Sequence, residues 1–496
     1  GGAVHTEELT LPGFKHNIHS NFHGFIQLGP VLKDLDVGKY HKYIYPDPCW
    51  GIIFPDKSGI FQYVGQGIEP IERTCKSIAS ISPKDAKAYM DFYKSHIELK
   101  PLMIGWMFSP PVTPSQQFAP LEGTEMGREI VRMQFTHFKR LTDELFESDQ
   151  FRAFILMAAV QMGLYVEEFG TGYFFPAMVT LEHDPGWGLS VGGSITLALA
   201  LEKILNDFGG RVVLNSHVDK ILVKNGVATG VEIAGGEKIM AKKAVVSNID
   251  PVGTFIKLVD KEYLEEEFIK KVERWHPGMS IFAPHYAISE PPRWKAAEKN
   301  PDADKAWGIL IGESEQLVLD YYRDIYAEKV PEDPVFLHCT PTIWDPTQAP
   351  PGKHTCFQWV HASYHLRDGG KEKWEEIKEE EAEKVWTKLN KYAPNLTRDK
   401  ILAAHIETPL DVERRLPELI EGCWLMGAMT QDQTGIFRPF HGYPPYRSAI
   451  ENLFMCGACT HPGGGCCGAP GYNAAGVICD DLKIKRWWEP MKYEMK

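Results

Sequence analysis

The chain has 496 residues, of which 44% are hydrophobic and 24% charged, as is typical of a soluble globular protein with more than one lobe. Its net charge of −13, with Lys and Arg spread along the chain, argues against a nucleic acid partner. Ten cysteines are too few for a disulfide scaffold, and because most lie in apolar stretches they indicate buried thiols in a reducing compartment. We therefore expect a cytoplasmic protein, and the sequence leaves membrane association open.

The first third of the chain is predicted to be strands followed by helices. Strands are expected around HKYIYPDPCWGIIFP and GIFQYVGQ, and residues 82–169 are mainly helical in pattern. Ser82 followed by Pro83 is typical of a helix N-terminus. The longest apolar run, residues 151–166, is shorter than the ~20 residues of a membrane-spanning helix. It predicts a buried helix, with contact to a bilayer or to an apolar tunnel as the alternative.

The middle of the chain has the most regular pattern. Residues 195–208 predict a helix that ends at a pair of glycines, and RVVLNS predicts a short strand after it. VDKILVKNGVATGVEI predicts a hairpin that turns at Asn225 and Gly226, and KKAVVSNIDP predicts a buried strand. From about 278 to 405, recurring strand-like runs around one charged helix indicate a mostly antiparallel sheet.

Near its end the chain reads THPGGGCCGAPGYNAA, between an apolar strand and a helix expected over residues 472–485. Glycines let backbone N–H groups approach a ligand, and a helix N-terminus adds partial positive charge, so the turn suits an anion or cofactor. A purely structural turn is the alternative. Cys456 and Cys459 lie near Cys466 and Cys467, but the six residues between the pairs include a proline and three glycines. Structural zinc usually takes rigid, well-separated ligand pairs, so we expect no metal.

Residues 456–475 resemble the C-terminal signature of the phytoene desaturase-like FAD-dependent oxidoreductases, which belong to the amine oxidase superfamily. Four further segments are similar to landmarks of these proteins, so the resemblance covers nearly the whole chain. The first and last motifs are most like a branch that includes beta-carotene ketolase-type proteins. The four segments are GGAVHTEELTLPGF, GGSITLALALEKILNDFGGRVVLNSHVDKILVKNGVATGVEI, VVSNIDPVGTFIKLV and ETPLDVERRL.

The resemblance implies an α/β protein with two lobes. One is a discontinuous, Rossmann-like FAD-binding lobe, and the other is an α+β substrate lobe with an antiparallel sheet and a helical cover. The FAD lobe is expected to comprise residues 1–30, 185–265 and 420–496, and the substrate lobe residues 31–184 and 266–419, with the cover at about 82–169.

One landmark of the family is missing from this sequence. The family begins with a βαβ unit that carries a Gly-x-Gly-x-x-Gly turn and an acidic residue for the ribose, and Gly1 falls where that unit would just have ended. Three explanations stay open. The sequence is incomplete, or the protein has lost FAD, or a separate small chain supplies the unit.

The resemblance also implies roles for single residues toward FAD, the expected cofactor. A helix N-terminus beneath the isoalloxazine would stabilise the negative charge of reduced flavin. The expected contacts are Gly1, Gly2 and Thr6 along the pyrophosphate and flavin, Val218 at the adenine, Gly457 near the ribityl chain, and Gly468, Pro470, Gly471, Asn473 and Ala474 in the turn and helix start beneath the flavin.

No acid–base pair is apparent in the sequence, and the catalytic residues stay undetermined. His461, His23 and Glu182 are the candidates, while core or surface positions are the alternative for His23 and its neighbours His16 and His19. Because hydride transfer needs only a weak base, the absence of an obvious one excludes little.

The expected function is FAD-dependent desaturation or dehydrogenation of C–C bonds in an apolar, isoprenoid-like, carotenoid-like or ring substrate. One alternative is a cis–trans isomerase of a polyene that uses FAD without net redox change, and another is a flavin-free scaffold or regulatory protein. The tail KIKRWWEPMKYEMK predicts either contact with a membrane interface or packing of its tryptophans against a neighbouring lobe. Substrate identity, electron acceptor and oligomeric state do not follow from the sequence.

Overall fold

A computed structural model describes residues 2–491, so the predicted FAD contact of Gly1 and the last part of the tail lie outside the described residues. The strands are β1 Thr6–Glu7, β2 His16–Asn17, β3 Tyr43–Ile44, β4 Trp50–Ile53, β5 Gly59–Gln62, β6 Leu189–Ser190, β7 Val218–Lys224, β8 Val227–Ile233, β9 Lys238–Met240, β10 Val245–Ser247, β11 Ser280–Ile288, β12 Gly308–Ile311, β13 Phe336–Cys339, β14 His354–Ala362, β15 Ile401–Glu407 and β16 Leu453–Met455. The α-helices are α1 Phe25–Leu28, α2 Val31–Asp34, α3 Glu69–Ala79, α4 Pro83–His96, α5 Lys100–Met107, α6 Pro114–Phe118, α7 Glu125–Gln134, α8 Phe138–Leu145, α9 Asp149–Gln161, α10 Phe174–Leu181, α11 Ile195–Asp207, α12 Glu266–Val272, α13 Glu315–Tyr326, α14 Lys373–Tyr392, α15 Pro409–Arg415 and α16 Ala469–Asp481.

The largest sheet has seven strands in the order β15-β11-β14-β13-β12-β4-β5. Every neighbouring pair is antiparallel except β12 and β4, which run parallel with Gly308 opposite Trp50. All residues of β11, β12 and β13 are buried, because elements pack on both faces of the sheet. The predicted antiparallel sheet is thus confirmed.

Helices α3 to α10 form a cover beside this sheet. Ser82 caps α4 by accepting a hydrogen bond from the backbone N–H of Asp85, as predicted. The apolar run predicted as a buried helix forms α9, and every residue from Ala153 to Gln161 is buried. Within residues 2–491, no helix combines the length and apolarity that a membrane crossing needs.

A second region joins the middle of the chain to its end. Strands β7, β8 and β9 form an antiparallel meander, and Asn225 and Gly226 make the predicted tight turn with φ values of 52° and 78°. Strand β10 pairs in parallel with β16, so residues 245–247 lie directly beside residues 453–455. The two segments share one apolar core built around Phe255 and Phe268.

Two predicted strands differ from the structure. RVVLNS is not a strand, and its Val213 and Leu214 side chains are 64% and 77% exposed. Strand β10 forms but is not buried, since Val246 is 46% exposed. An extended segment becomes a buried strand only where a neighbour pairs its backbone and covers its side chains, and no described residue does both here.

The end of the chain follows the predicted order with shifted bounds. Helix α16 begins at Ala469 and ends at Asp481, three and four residues earlier than predicted. Beyond it, Trp487 stacks on Phe208 with ring centres 5.7 Å apart, and Trp488 packs at 6.2 Å from Tyr472. The described part of the tail thus packs on the fold, although Trp487 remains 58% exposed.

Candidate active site

A cavity of about 570 Å³ lies where the N-terminal segment, the helical cover, the large sheet and the glycine-rich loop meet. Apolar side chains from α5, α10 and the loop around Trp424 form most of its wall. Leu337 of β13 and Trp359 of β14 close it on the side of the sheet. The segment that ends α9 also faces this cavity, through Gln161 and Met162, so the buried helix also lines an apolar chamber.

One wall of the cavity is backbone rather than side chain. The glycine-rich loop and the first turn of α16 line it with Gly457, residues 463–467, Gly468, Pro470 and Gly471. A Cβ atom at Gly457 would lie 2.6 Å from the carbonyl oxygen of Asn248, and Gly457 has a φ of 87°, so only glycine suits this position. A Cβ at Gly471 would meet nothing within 4 Å.

These features fit the flavin end of FAD. A planar, electron-rich group needs a wall without side chains and a source of partial positive charge, and the N-terminus of the thirteen-residue α16 supplies the latter. Of the residues predicted to contact FAD, Gly457, Gly468, Pro470 and Gly471 line the cavity.

The other predicted FAD contacts do not line this cavity. The Thr6 hydroxyl binds Asn17 and the backbone N–H of Ile195, and so joins the N-terminal segment to α11. The Asn473 amide donates to the carbonyl oxygens of Met107 and Ser109. Gly2, Val218 and Ala474 also lie away from the wall. The roles of these residues toward FAD stay predictions.

The cavity wall has almost no charge. Among residues 2–491, no lysine or arginine lines it, and its one carboxyl group belongs to Glu182. Glu182 is buried and accepts a 3.2 Å hydrogen bond from the side chain of Gln62. Burial raises the pKa of Glu182 to about 8, although the bond from Gln62 opposes this, so the group is neutral at pH 7.

His19 is the histidine that the fold brings to the cavity. Its Nε2 lies 2.9 Å from Glu407, whose other oxygen accepts a 2.9 Å hydrogen bond from Arg415. Burial alone would raise the pKa of Glu407, but the hydrogen bond with His19 and the nearby charges of His19, His285 and Arg415 lower it to about 2. Sequence reasoning did not identify Glu407, because 388 residues separate it from His19.

The two other catalytic candidates lie behind the wall. His461 is buried, with Nε2 at 2.8 Å from the carbonyl oxygen of Trp106, and burial lowers its pKa to about 4. His23 is buried between Ser20 and Tyr43, and burial lowers its pKa to about 3. Neither is among the residues that line the cavity, whereas Glu182 is. The catalytic roles of all three residues stay predictions.

Arg438 organises the loop behind the glycine wall, and no sequence motif pointed to it. Its guanidinium is buried, donates hydrogen bonds to five backbone carbonyl oxygens and lies 5.1 Å from the ring centre of Trp275. One of those carbonyls belongs to Ala458, which lines the cavity. Burial lowers the pKa of Arg438 to about 10. The five acceptors belong to Leu425, Met426, Ala428, Gln433 and Ala458.

The cysteines near the glycine loop behave as small buried side chains. All ten cysteines of the chain are free thiols. The Cys466 thiol lies 3.1 Å from the Ser20 hydroxyl, and burial raises the pKa of both Cys466 and Cys467. Within the described residues, no group of three or more His, Cys, Asp or Glu side chains is arranged to hold a metal.

No protein-family model matches the chain. A limonene dehydrogenase polypeptide from Castellaniella defragrans is 26% identical over 505 residues, which cover 98% of this chain and 90% of that protein. Pyridine nucleotide-disulfide oxidoreductase domain-containing protein 2 from Mus musculus is 28% identical, covering 97% of this chain and 88% of that protein. A neurosporene-forming phytoene desaturase from Cereibacter sphaeroides is 27% identical over 62% of this chain and 57% of that protein.

Solved structures share the fold at low sequence identity. An oxidoreductase from Methanosarcina mazei superimposes with a TM-score of 0.61 at 15% identity, covering 97% of this chain and 92% of that one. A putrescine oxidase bound to putrescine superimposes with a TM-score of 0.58 at 13% identity, covering 97% and 91%. The predicted resemblance to the phytoene desaturase-like flavoproteins of the amine oxidase superfamily is confirmed by relatives that match most of the chain and by solved structures that share its fold.

Proposed function

We propose that this protein is an FAD-dependent oxidoreductase that removes hydrogen from a C–C unit of an apolar small molecule. The supporting observation is a cavity with a glycine wall at one side and apolar side chains around the rest. Limonene dehydrogenase and phytoene desaturase, two of the named relatives, carry names that fit such a substrate.

Gly457, Gly468, Pro470 and Gly471 would hold the flavin end of FAD. When bound, FAD supplies the acceptor for a hydride, so that one C–C single bond becomes a double bond as a second hydrogen leaves as a proton. His19 is positioned to take that proton, because its ring borders the cavity while Glu407 fixes its Nε2 and stabilises the imidazolium. The apolar walls exclude water and orient the substrate.

The charges of the cavity favour a C–C unit over an amine. A cationic amine needs an ionised carboxylate or an aromatic cage, and the carboxyl group of Glu182 on this wall is neutral at pH 7. The fold shared with putrescine oxidase therefore does not carry that substrate to this protein.

The test begins with the purified full-length protein, including any segment encoded upstream of Gly1. We expect stoichiometric FAD after denaturation, and loss of the flavin visible absorbance when an apolar alkene or cycloalkane is added without oxygen. His19→Gln should retain FAD but slow this reduction by about 10²-fold, whereas Met178→Leu, an apolar change on the same wall, should not. A protein that binds no FAD would refute the proposal. A product with the mass of the substrate and no consumed acceptor would favour the isomerase instead.

A further inference from the structure

The apolar cavity contains polar groups that the protein itself does not satisfy. Both the Nδ2 and the Oδ1 of Asn21 are buried without a hydrogen bond to any described residue, and the side chain is only 4% exposed. The Nε2 of Gln161, at 5% exposure, and the indole Nε1 of Trp187 are in the same state. All three side chains line the cavity. Because buried polar groups in folded proteins nearly always have partners, these groups indicate a polar atom on the ligand.

The chemistry of this set limits that polar atom. Gln161 and Trp187 leave N–H donors free, Asn21 leaves a donor and an acceptor, and the neutral Glu182 carries a further O–H on the same wall. A ligand acceptor is therefore favoured, and one that also donates can bind Asn21 twice. A carboxylate or phosphate has no cation to meet, since no lysine or arginine lines the cavity within residues 2–491. An ammonium group would meet no ionised carboxylate among the same described lining residues.

We propose that the substrate is an uncharged oxygenated lipophile, with one hydroxyl or carbonyl oxygen bound by Asn21 and its neighbours Gln161 and Trp187. The inference rests on the proposed function for the reaction itself but concerns recognition. It separates this site from that of an enzyme for a pure hydrocarbon, whose C–H groups would leave the amide of Asn21 unpaired. Asn21 then selects the substrate and fixes which C–C unit faces the glycine wall.

The test uses ligands with one carbon skeleton and different polar groups. Limonene, carvone and carveol share a ten-carbon ring skeleton and differ only in carrying no oxygen, a ketone or a hydroxyl, while perillic acid and perillylamine add a negative or a positive charge. Binding to the holoprotein is measured by tryptophan fluorescence, which the cavity-lining Trp187, Trp359 and Trp424 should report. We expect carvone and carveol to bind roughly ten- to hundredfold more tightly than limonene and than either charged analogue.

Two variants assign this preference to the polar groups. Asn21→Leu, of similar size, should abolish the difference between carvone and limonene, and Gln161→Leu should reduce it. Met178→Leu is the matched apolar control and should leave it unchanged, with circular dichroism and melting curves used to verify folding. Because Gln161→Leu tests the same preference independently, misfolding of one variant does not remove the test.

Three results would overturn the inference. They are equal affinity for limonene and carvone in the unsubstituted protein, a difference that survives Asn21→Leu, and no binding of carvone up to its solubility. Loss of FAD from Asn21→Leu with an unchanged ligand preference would assign Asn21 to the cofactor and also overturn it. Failure of the proposed function is seen separately, as absence of FAD from the unsubstituted protein, because fluorescence reports ligand binding without it.

Discussion

Replacing Glu407 with glutamine should reveal how much the buried pair beside the cavity contributes to stability. Glu407 is 1% exposed, and its pKa falls from the ordinary 4.5 to about 2. Since each pKa unit corresponds to 1.36 kcal/mol, the ionised carboxylate contributes about 3 kcal/mol to the free energy of unfolding at neutral pH. Glutamine keeps the size of the side chain but removes this charge, so Glu407→Gln should lose about that amount at pH 7.

The pH dependence has a defined sign. Because the folded pKa lies below the unfolded one, the contribution is complete above about pH 4.5 and disappears as the pH falls toward 2. In urea unfolding, the gap between the unsubstituted protein and Glu407→Gln should therefore shrink by about half between pH 6 and pH 3. Glu266→Gln removes a glutamate with an 82% exposed side chain and should cost under ~1 kcal/mol at either pH. A gap that is absent at pH 6, or equal at pH 6 and pH 3, would refute the reasoning.

Three further substitutions test other parts of the site. Glu182→Gln should gain about 4 kcal/mol relative to the unsubstituted protein between pH 5 and pH 9, because a carboxyl with its pKa raised to about 8 loses stability as the pH rises through that range; a pH-independent difference in urea midpoints would contradict this. Arg438→Met leaves five backbone carbonyl oxygens without their donor and should cost about 3–5 kcal/mol, seen as a lower melting temperature, and an unchanged melting temperature would contradict it. Gly471→Ala should raise helix stability by up to ~1 kcal/mol yet weaken FAD retention, since the methyl group enters the open cavity, and unaltered FAD retention on equilibrium dialysis would contradict the placement of the flavin.

The sequence predicted the elements that depend on local chemistry. The Ser82 cap, the Asn225–Gly226 turn and the buried helix α9 each follow from a few neighbouring residues, and all three are present. RVVLNS has the composition of a strand, but pairing is a property of the neighbour, which a local pattern does not contain. The pairing of His19 with Glu407 was inaccessible for the same reason, because it depends on how β15 lies against the N-terminal segment. The glycine wall was predictable because its residues are contiguous in the chain.

The two buried carboxyl groups of the site take opposite protonation states for a structural reason. Glu407 has an imidazole and a guanidinium as partners, so the energy of burying its charge is recovered and it stays ionised. Glu182 has only the amide of Gln62, so burial favours its neutral form. Groups whose environments drive their pKa values apart are suited to opposite proton roles. His19 supported by Glu407 is therefore the group that accepts a proton at pH 7, and Glu182 is the group that donates a hydrogen bond. In our proposals this asymmetry separates the chemistry of hydrogen removal, beside His19, from recognition of the substrate oxygen, for which Glu182 offers a donor.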